Sequence, residues 1–179
     1  MRKMNLPNGE KSMKIKYILS VLILSLCSFT ARAGGGPLPV VAVADQAKLL
    51  ASTDAKLAFN KKLVYDFDRI ILNGRRLERT SEFMSKDYIQ HNPNVPTGMD
   101  GFLKFFSQLG GPRDIPATVP DLVSIQAEGD IVTLSFVNEL QDPSNPNQKY
   151  TTTWFDMFRV KDGKIAEHWD CDVKSAPSK

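Results

Sequence analysis

Cysteine and histidine are scarce in this chain. Its 179 residues hold two of each, Cys27 and Cys171, His91 and His168. Neither Cys-x-x-Cys nor His-Glu-x-x-His occurs, so the usual sequence marks of zinc sites and thiol redox chemistry are missing, and no metal is expected. A Gly-x-Gly-x-x-Gly turn between strand and helix is also lacking, which removes the dinucleotide-binding reading. No Lys/Arg cluster is interleaved with aromatic residues, and no nucleic-acid partner is expected. Internal repeats are absent, and no apolar run reaches the ~20 residues that a membrane-spanning helix needs.

The N-terminus carries an export pattern. Lys14 and Lys16 precede the almost wholly apolar stretch Tyr17 to Phe29, and Ala31-Arg32-Ala33 fits a small-x-small cleavage site. The sequence therefore predicts a secretory signal peptide over residues 1–33, with Met13 as an alternative start. Cys27 follows the large Leu26, where a lipidation site wants a small residue, so cleavage after Ala33 is expected. The product would be periplasmic or secreted, with no stable membrane anchor. Of the 23 Lys/Arg and 20 Asp/Glu, six and one fall in residues 1–33. The remainder carries 17 and 19, a net −2, so the chain's basicity belongs to its leader. Cys171 is then the sole cysteine, and the fold must be held by its core rather than by a disulfide.

Residues 34–53 read as a leader or arm, followed by one domain over 54–174 and a tail over 175–179. Ser52-Thr53-Asp54 offers a helix start. Phe59, Leu63, Phe67, Ile70 and Ile71 recur at helical spacing, with Lys61, Lys62, Asp68 and Arg69 assigned to the opposite side. Asn73-Gly74 should end this helix. A shorter helix is expected from Arg75 to about Met84, with Leu77, Phe83 and Met84 inward. Tyr88 to Pro93 reads as a short extended piece running into a loop. A third helix should carry Met99, Phe102, Leu103, Phe106 and Leu109, started by a Thr97/Asp100 capping box and ended by Gly110-Gly111-Pro112. Strands follow at Asp121 to Ala127, Ile131 to Leu140, Tyr150 to Val160 and Lys164 to Val173. Helices followed by an antiparallel meander predict an α+β fold.

The last two strands hold the chemistry. Asp162-Gly163 between two apolar-rich runs is a strong hairpin signal. Alternation puts Trp154, Asp156 and Phe158 on one face, and Ala166, His168, Asp170 and Asp172 on one face of the partner strand. Carboxylates and an imidazole are thereby gathered. Either they face a closed interior, or they decorate a charged sheet surface.

Three segments resemble the SnoaL-like proteins of the nuclear transport factor 2-like superfamily, which also includes ketosteroid isomerase. They are YIQHNP after two helices, Gly-Met-Asp-Gly-Phe opening a third, and DMFRVKDGKIAEHWD near the end. The resemblance covers roughly Ala55 to Val173. It implies a cone-shaped α+β barrel, with three N-terminal helices packed on a curved, mainly antiparallel sheet around a pocket, and a homodimer. The family's polyketide cyclases use an aspartate as acid/base in an aldol reaction that needs no cofactor. Alignment through Asp162-Gly163-Lys164 places that aspartate at Asp170. Its partner at the developing enolate oxygen would be His168, His91 or a protonated Asp156, and Asp156 stands where the cyclases carry histidine. Tyr88, Trp154 and Phe158 are expected to bind substrate, with Phe155 and Trp169 adding apolar surroundings. An exported chain does not suit a polyketide substrate. The resemblance thus points to a lyase or isomerase acting next to a carbonyl of a small apolar compound; the alternative is a non-catalytic ligand-binding or protein-interaction module of the periplasm.

Overall fold

The computed structural model describes residues 38–175. The expected signal peptide over 1–33 and most of the tail lie outside the described residues. Within the described range the elements are α1 (Ala47–Leu50), α2 (Ala55–Phe67), α3 (Thr80–Phe83), β1 (Met84–Gln90), α4 (Met99–Ser107), β2 (Leu122–Glu128), β3 (Ile131–Asp142), β4 (Asn145–Lys161) and β5 (Lys164–Asp170). The strands form one curved sheet in the order β1-β5-β4-β3-β2. All pairs are antiparallel except β1 with β5. This is the expected α+β architecture, with the sheet left open at β1 and β2 instead of closing into a complete barrel.

The β4–β5 hairpin turns where the sequence places it. Asp162 and Gly163 both adopt positive φ, 51° and 71°, the geometry that lets a tight turn follow the right-handed strand twist. β4 and β5 lie inside the sheet and not at its edge, and their inward side chains Phe158 and His168 are buried. Phe67 is the hub of the packing there: its ring centroid lies 5.9 Å from those of Phe102 on α4 and Phe158 on β4, and 6.3 Å from that of Phe83. Each such buried phenyl contributes ~1.5–3 kcal/mol by leaving water.

Several local expectations give way to tertiary contacts. Tyr88-Ile89-Gln90 ends a full strand, β1, so a strand precedes α4 instead of following all the helices. Its partner β5 lies far along the chain, and its burial does not alternate cleanly, so local pattern could not announce it. The Thr97/Asp100 capping box does not form. Gly98 occupies the N-cap, while the Thr97 hydroxyl donates to the Tyr88 carbonyl at 3.2 Å and accepts from the Gln90 N–H at 3.1 Å. Leu109 lies beyond α4 and is exposed.

The long helix is rotated from its expected stripe. Asp54 caps α2 by accepting from the N–H groups of Lys56 and Leu57. Phe59 is exposed, whereas Asn60, Val64, Phe67, Asp68 and Ile71 are buried. After Phe67 the helix widens into a π turn, Asp68–Asn73, and stops at Gly74. The left-handed residue is Arg75 (φ 54°), not Gly74. Gly74 is needed for closeness: a Cβ there would stand 2.7 Å from the Ile70 carbonyl oxygen and 3.0 Å from Ile115 Cγ1.

The arm is packed. Val43 N–H donates to the Leu122 carbonyl at 2.8 Å, capping part of an open sheet edge that would otherwise invite another strand. Gln46 is buried, accepting from Tyr65 Oη at 2.8 Å and donating to the Val119 carbonyl at 2.7 Å.

Candidate functional site

Between the sheet and the helices lies a cavity of about 160 Å3, walled by Phe67, Phe102, Phe106, Tyr88, Trp154 and Phe158 and floored by Asp156, His168 and Asp170. Its size is close to the ~150 Å3 of an apolar cavity that holds benzene. Strand register produces the cluster. Asp156 lies directly across from Asp170, and Phe158 across from His168, so all four side chains leave the same face of the sheet. Of the two alternatives left by the sequence, the interior one holds.

Hydrogen bonds fix the imidazole's tautomer. His168 Nδ1 lies 2.8 Å from Gln90 Oε1. That oxygen also accepts from the backbone N–H of Asn92 at 3.0 Å, and a backbone N–H can only donate. The Gln90 amide is therefore oriented with Oε1 inward, and His168 Nδ1 must be the donor. Neutral His168 then keeps its lone pair on Nε2, which stands 3.4 Å from Asp156 Oδ1. The other end of the same amide donates to Tyr88 Oη at 3.0 Å, which leaves the phenolic proton free to point at a ligand. Burial, reinforced by the nearby charges of Asp156 and Asp170, pushes the Tyr88 phenol well above its usual range, so it remains a donor.

The two carboxylates are held differently. Asp156 Oδ1 accepts from Trp154 Nε1 at 2.9 Å. Asp170 accepts from Asn92 Nδ2 through one oxygen and from the Asp172 N–H, at 3.0 Å, through the other. Asn94 bonds Asp172 and the Val173 carbonyl, so the Asn-Pro-Asn loop is laced to the end of β5. Asp172 itself lies past the strand and is exposed.

Tyr88, Trp154, Phe158, Asp156, His168 and Asp170 all line the cavity. His91 does not reach it. It stacks on Trp169 with ring centroids 5.0 Å apart and planes 5° from parallel, and bonds Glu167 at 2.8 Å, on the outer face of the sheet. Backbone alternation explains this: Glu167 and Trp169 flank His168 and point the other way. Arg159 bonds Glu167 at 2.8 Å and, with His91, holds that carboxyl below the usual range. Phe155 is exposed, and neither it nor Trp169 contributes to the pocket wall.

Asp156, His168 and Asp170 present one atom each within 4.8 Å of one another. A zinc ligand atom sits ~2.0–2.2 Å from its ion, and the 3.4 Å between His168 Nε2 and Asp156 Oδ1 is a separation that two ligands of one ion can have. The Trp154 and Asn92 bonds orient the two carboxylates toward His168, so the trio is a cluster of two carboxylates and an imidazole, the side-chain types of both acid/base chemistry and cation ligation.

One ionisable group departs from its expected side. Asp68 is only 4 % exposed, and its carboxylate accepts from Asn73 Nδ2 at 2.7 Å. Burial, then the charge of Asp156, push its carboxyl up to about 7. The signal was present: Asp68 is four residues after Val64 and three before Ile71, on the buried side. Anchoring the stripe on Phe59 hid it.

Comparison with known proteins adds a family. Residues 65–168, more than half of the chain, match the SnoaL-like domain. No curated protein sequence matches. Among solved structures, the chain is similar to TsrD from Streptomyces laurentii at 21% identity, covering 66% of this chain and 90% of that one, with a TM-score of 0.42. It is also similar to an LEH-like epoxide hydrolase from M. tuberculosis at 15% identity, covering 63% and 80%, with a TM-score of 0.44. A de novo designed protein with a curved β-sheet is similar at 19% identity, covering 65% and 84%, with a TM-score of 0.43.

Proposed function

Because this chain belongs to the SnoaL-like domain family, we propose that its pocket catalyses proton transfer next to a carbonyl group, as an isomerase or lyase working through its own acid/base side chains. The observation that carries this reading is the convergence of Asp156, His168 and Asp170 at one end of an apolar cavity that also holds a free phenolic donor. The substrate class follows from the walls: a largely apolar carbonyl compound with about one ring's bulk inside the cavity.

In this mechanism Asp170 removes the proton alpha to the carbonyl. The Tyr88 hydroxyl donates to the carbonyl oxygen as it gains enolate charge, a contact that strengthens toward the transition state. Asp170 then returns the proton to a different carbon, which is isomerisation. In the lyase variant His168, doubly protonated beside Asp156, delivers a proton to the departing group. Gln90 keeps His168 and Tyr88 in register by bonding both. We place this activity outside the cytoplasm, on the strength of the basic-then-apolar segment and Ala31-Arg32-Ala33.

The test is deuterium wash-in from heavy water, followed by NMR, over a panel of ring-sized ketones and aldehydes. A positioned base is worth ~10²–10⁴ in rate, so Asp170→Asn should lower exchange by at least ~100-fold. Exchange that survives this substitution unchanged removes Asp170 as the base. One observation favours a second reading, a ligand-holding module: both Asp170 oxygens already accept hydrogen bonds, as in a structural carboxylate. A compound that binds the pocket yet exchanges no proton supports that reading.

A further inference from the structure

The floor of the pocket gathers acceptors and brings no basic side chain to meet them. Asp156 stands on β4, His168 and Asp170 on β5, and the antiparallel register sets Asp156 across from Asp170. No ligand spacing marks the sequence, because the three residues come together only through that pairing. His168 donates through Nδ1 to Gln90 Oε1, so in the neutral imidazole the Nε2 lone pair is the group that faces Asp156 Oδ1, at 3.4 Å. Two acceptors thus oppose each other. Asp170 offers a third, and one atom from each of the three residues lies within 4.8 Å of the others.

Among the described residues no Lys or Arg pairs with Asp156 or Asp170. The donors that reach them are neutral: the Trp154 indole, the Asn92 amide and the Asp172 N–H. His168 is 8 % exposed and the Asp156 side chain 16 %. Carboxylates so far from water are ordinarily paired with a cation or coordinated to a metal. The imidazole is also arranged as in a metal-bound histidine, whose other nitrogen donates to a fixed oxygen that sets tautomer and ring orientation. Gln90 supplies that oxygen and is itself tied at both ends, to the Asn92 N–H and the Tyr88 hydroxyl. Two ligands of one tetrahedral ion stand ~3.4 Å apart, the separation already present between Nε2 and Oδ1. Drawing the widest pair in from 4.8 Å takes on the order of 1 Å, which the broad terminal torsion of an aspartate allows.

We propose that Asp156, His168 and Asp170 form a binding site for one divalent transition cation of the zinc class, with its remaining side open to the apolar cavity. The site goes beyond the proton-transfer reading, which uses the same groups without a cation, and it can be tested without a substrate. An imidazole beside two carboxylates suits Zn2+ or Fe2+ better than Mg2+, which prefers oxygen ligands and keeps its waters. Three protein ligands leave a position for a water or for an oxygen of a bound compound, as in open zinc sites. A cation held there engages the Asp170 carboxylate and the Nε2 lone pair of His168. The loaded pocket therefore lacks both its base and its acid, so cation binding and proton transfer by Asp170 exclude one another.

The experiment is isothermal calorimetry of the full chain, stripped with EDTA, desalted and titrated with zinc chloride alone and, separately, with magnesium chloride. The expected result is one Zn2+ bound per chain and no comparable binding of Mg2+. Gln90→Leu, which removes an outer partner and no ligand, should weaken zinc binding by ~10–100-fold. His168→Gln and Asp170→Asn should each weaken it further, and Asp170→Asn keeps the proposal testable if His168→Gln fails to fold. Absence of stoichiometric zinc binding overturns the proposal and leaves a proton on His168 as the cation that meets the carboxylates. Binding retained in all three variants also overturns it, by placing the ion on other side chains, as does Mg2+ binding as tight as that of Zn2+. Bound Zn2+ should suppress any deuterium exchange catalysed by the metal-free protein; exchange undiminished at saturating zinc takes Asp170 out of the site and sinks the inference. Zinc binding by a protein that exchanges no proton when metal-free would remove the enzymatic reading and leave the cation site standing.

Discussion

Replacing Asp68 by asparagine should make the protein more stable at alkaline pH than the native chain. The carboxyl titrates at about 7 in the folded protein against 3.8 as an ordinary aspartate, and the residue is almost wholly removed from solvent. A folded pKa above the unfolded one means that stability is fully present below the unfolded value and is lost as pH rises through the folded value. A tenfold change in proton affinity is worth ~1.36 kcal/mol, so the roughly thousandfold change between folded and unfolded states amounts to ~4 kcal/mol, lost between pH ~4 and pH ~7. That is a large part of the ~5–15 kcal/mol that holds a typical domain together. Asparagine retains the shape and accepts from Asn73, but carries no charge to bury. Urea denaturation of both proteins at pH 4, 5, 6, 7 and 8 gives the difference directly, and groups titrating alike in both cancel from it. The variant should be equal or weaker at pH 4 and gain on the native chain up to pH 8. Parallel stability curves across that range would falsify the burial and charge argument for Asp68.

Two further outcomes follow from the backbone and the N-terminal sequence pattern. Gly74→Ala should lower the urea midpoint by an amount equivalent to ~1–3 kcal/mol, because the new methyl must displace the Ile70 carbonyl or the Ile115 side chain. A midpoint unchanged within error would mean that the turn has slack the packing does not show. Expressed in a bacterium with residues 1–33 included, the protein should, on the export reading, be recovered with Gly34 as its first residue by mass spectrometry. Recovery solely as the uncleaved chain would refute the export reading.

The sequence by itself determined the β4–β5 hairpin, the α+β class and the gathering of Asp156, His168 and Asp170 on one sheet face. Those features follow from rules that act over a few residues: the backbone demands of an Asp-Gly turn, and the alternation of side chains along a strand. The family resemblance was legible in the same stretch, and residues 65–168 bear it out. The location of His91 was not legible, because it depends on β1 pairing with β5, whose residues come about eighty positions later. Register then sends His91 to the outer face while Gln90 meets His168.

Only the tertiary structure decided that the cluster faces an apolar interior, since that needs Phe67, Phe102 and Phe106 to arrive from helices distant in sequence. It also decided the fate of Asp68. On a helix read alone, aspartate belongs with the lysines and arginines, because burying a charge is unfavourable. Here the π turn and the packing of Ile70 and Ile71 fix the backbone, and the carboxyl follows it inward. A local pattern records what each residue prefers, whereas the assembled core sets which preference gives way, and at Asp68 the apolar neighbours prevail over the charge.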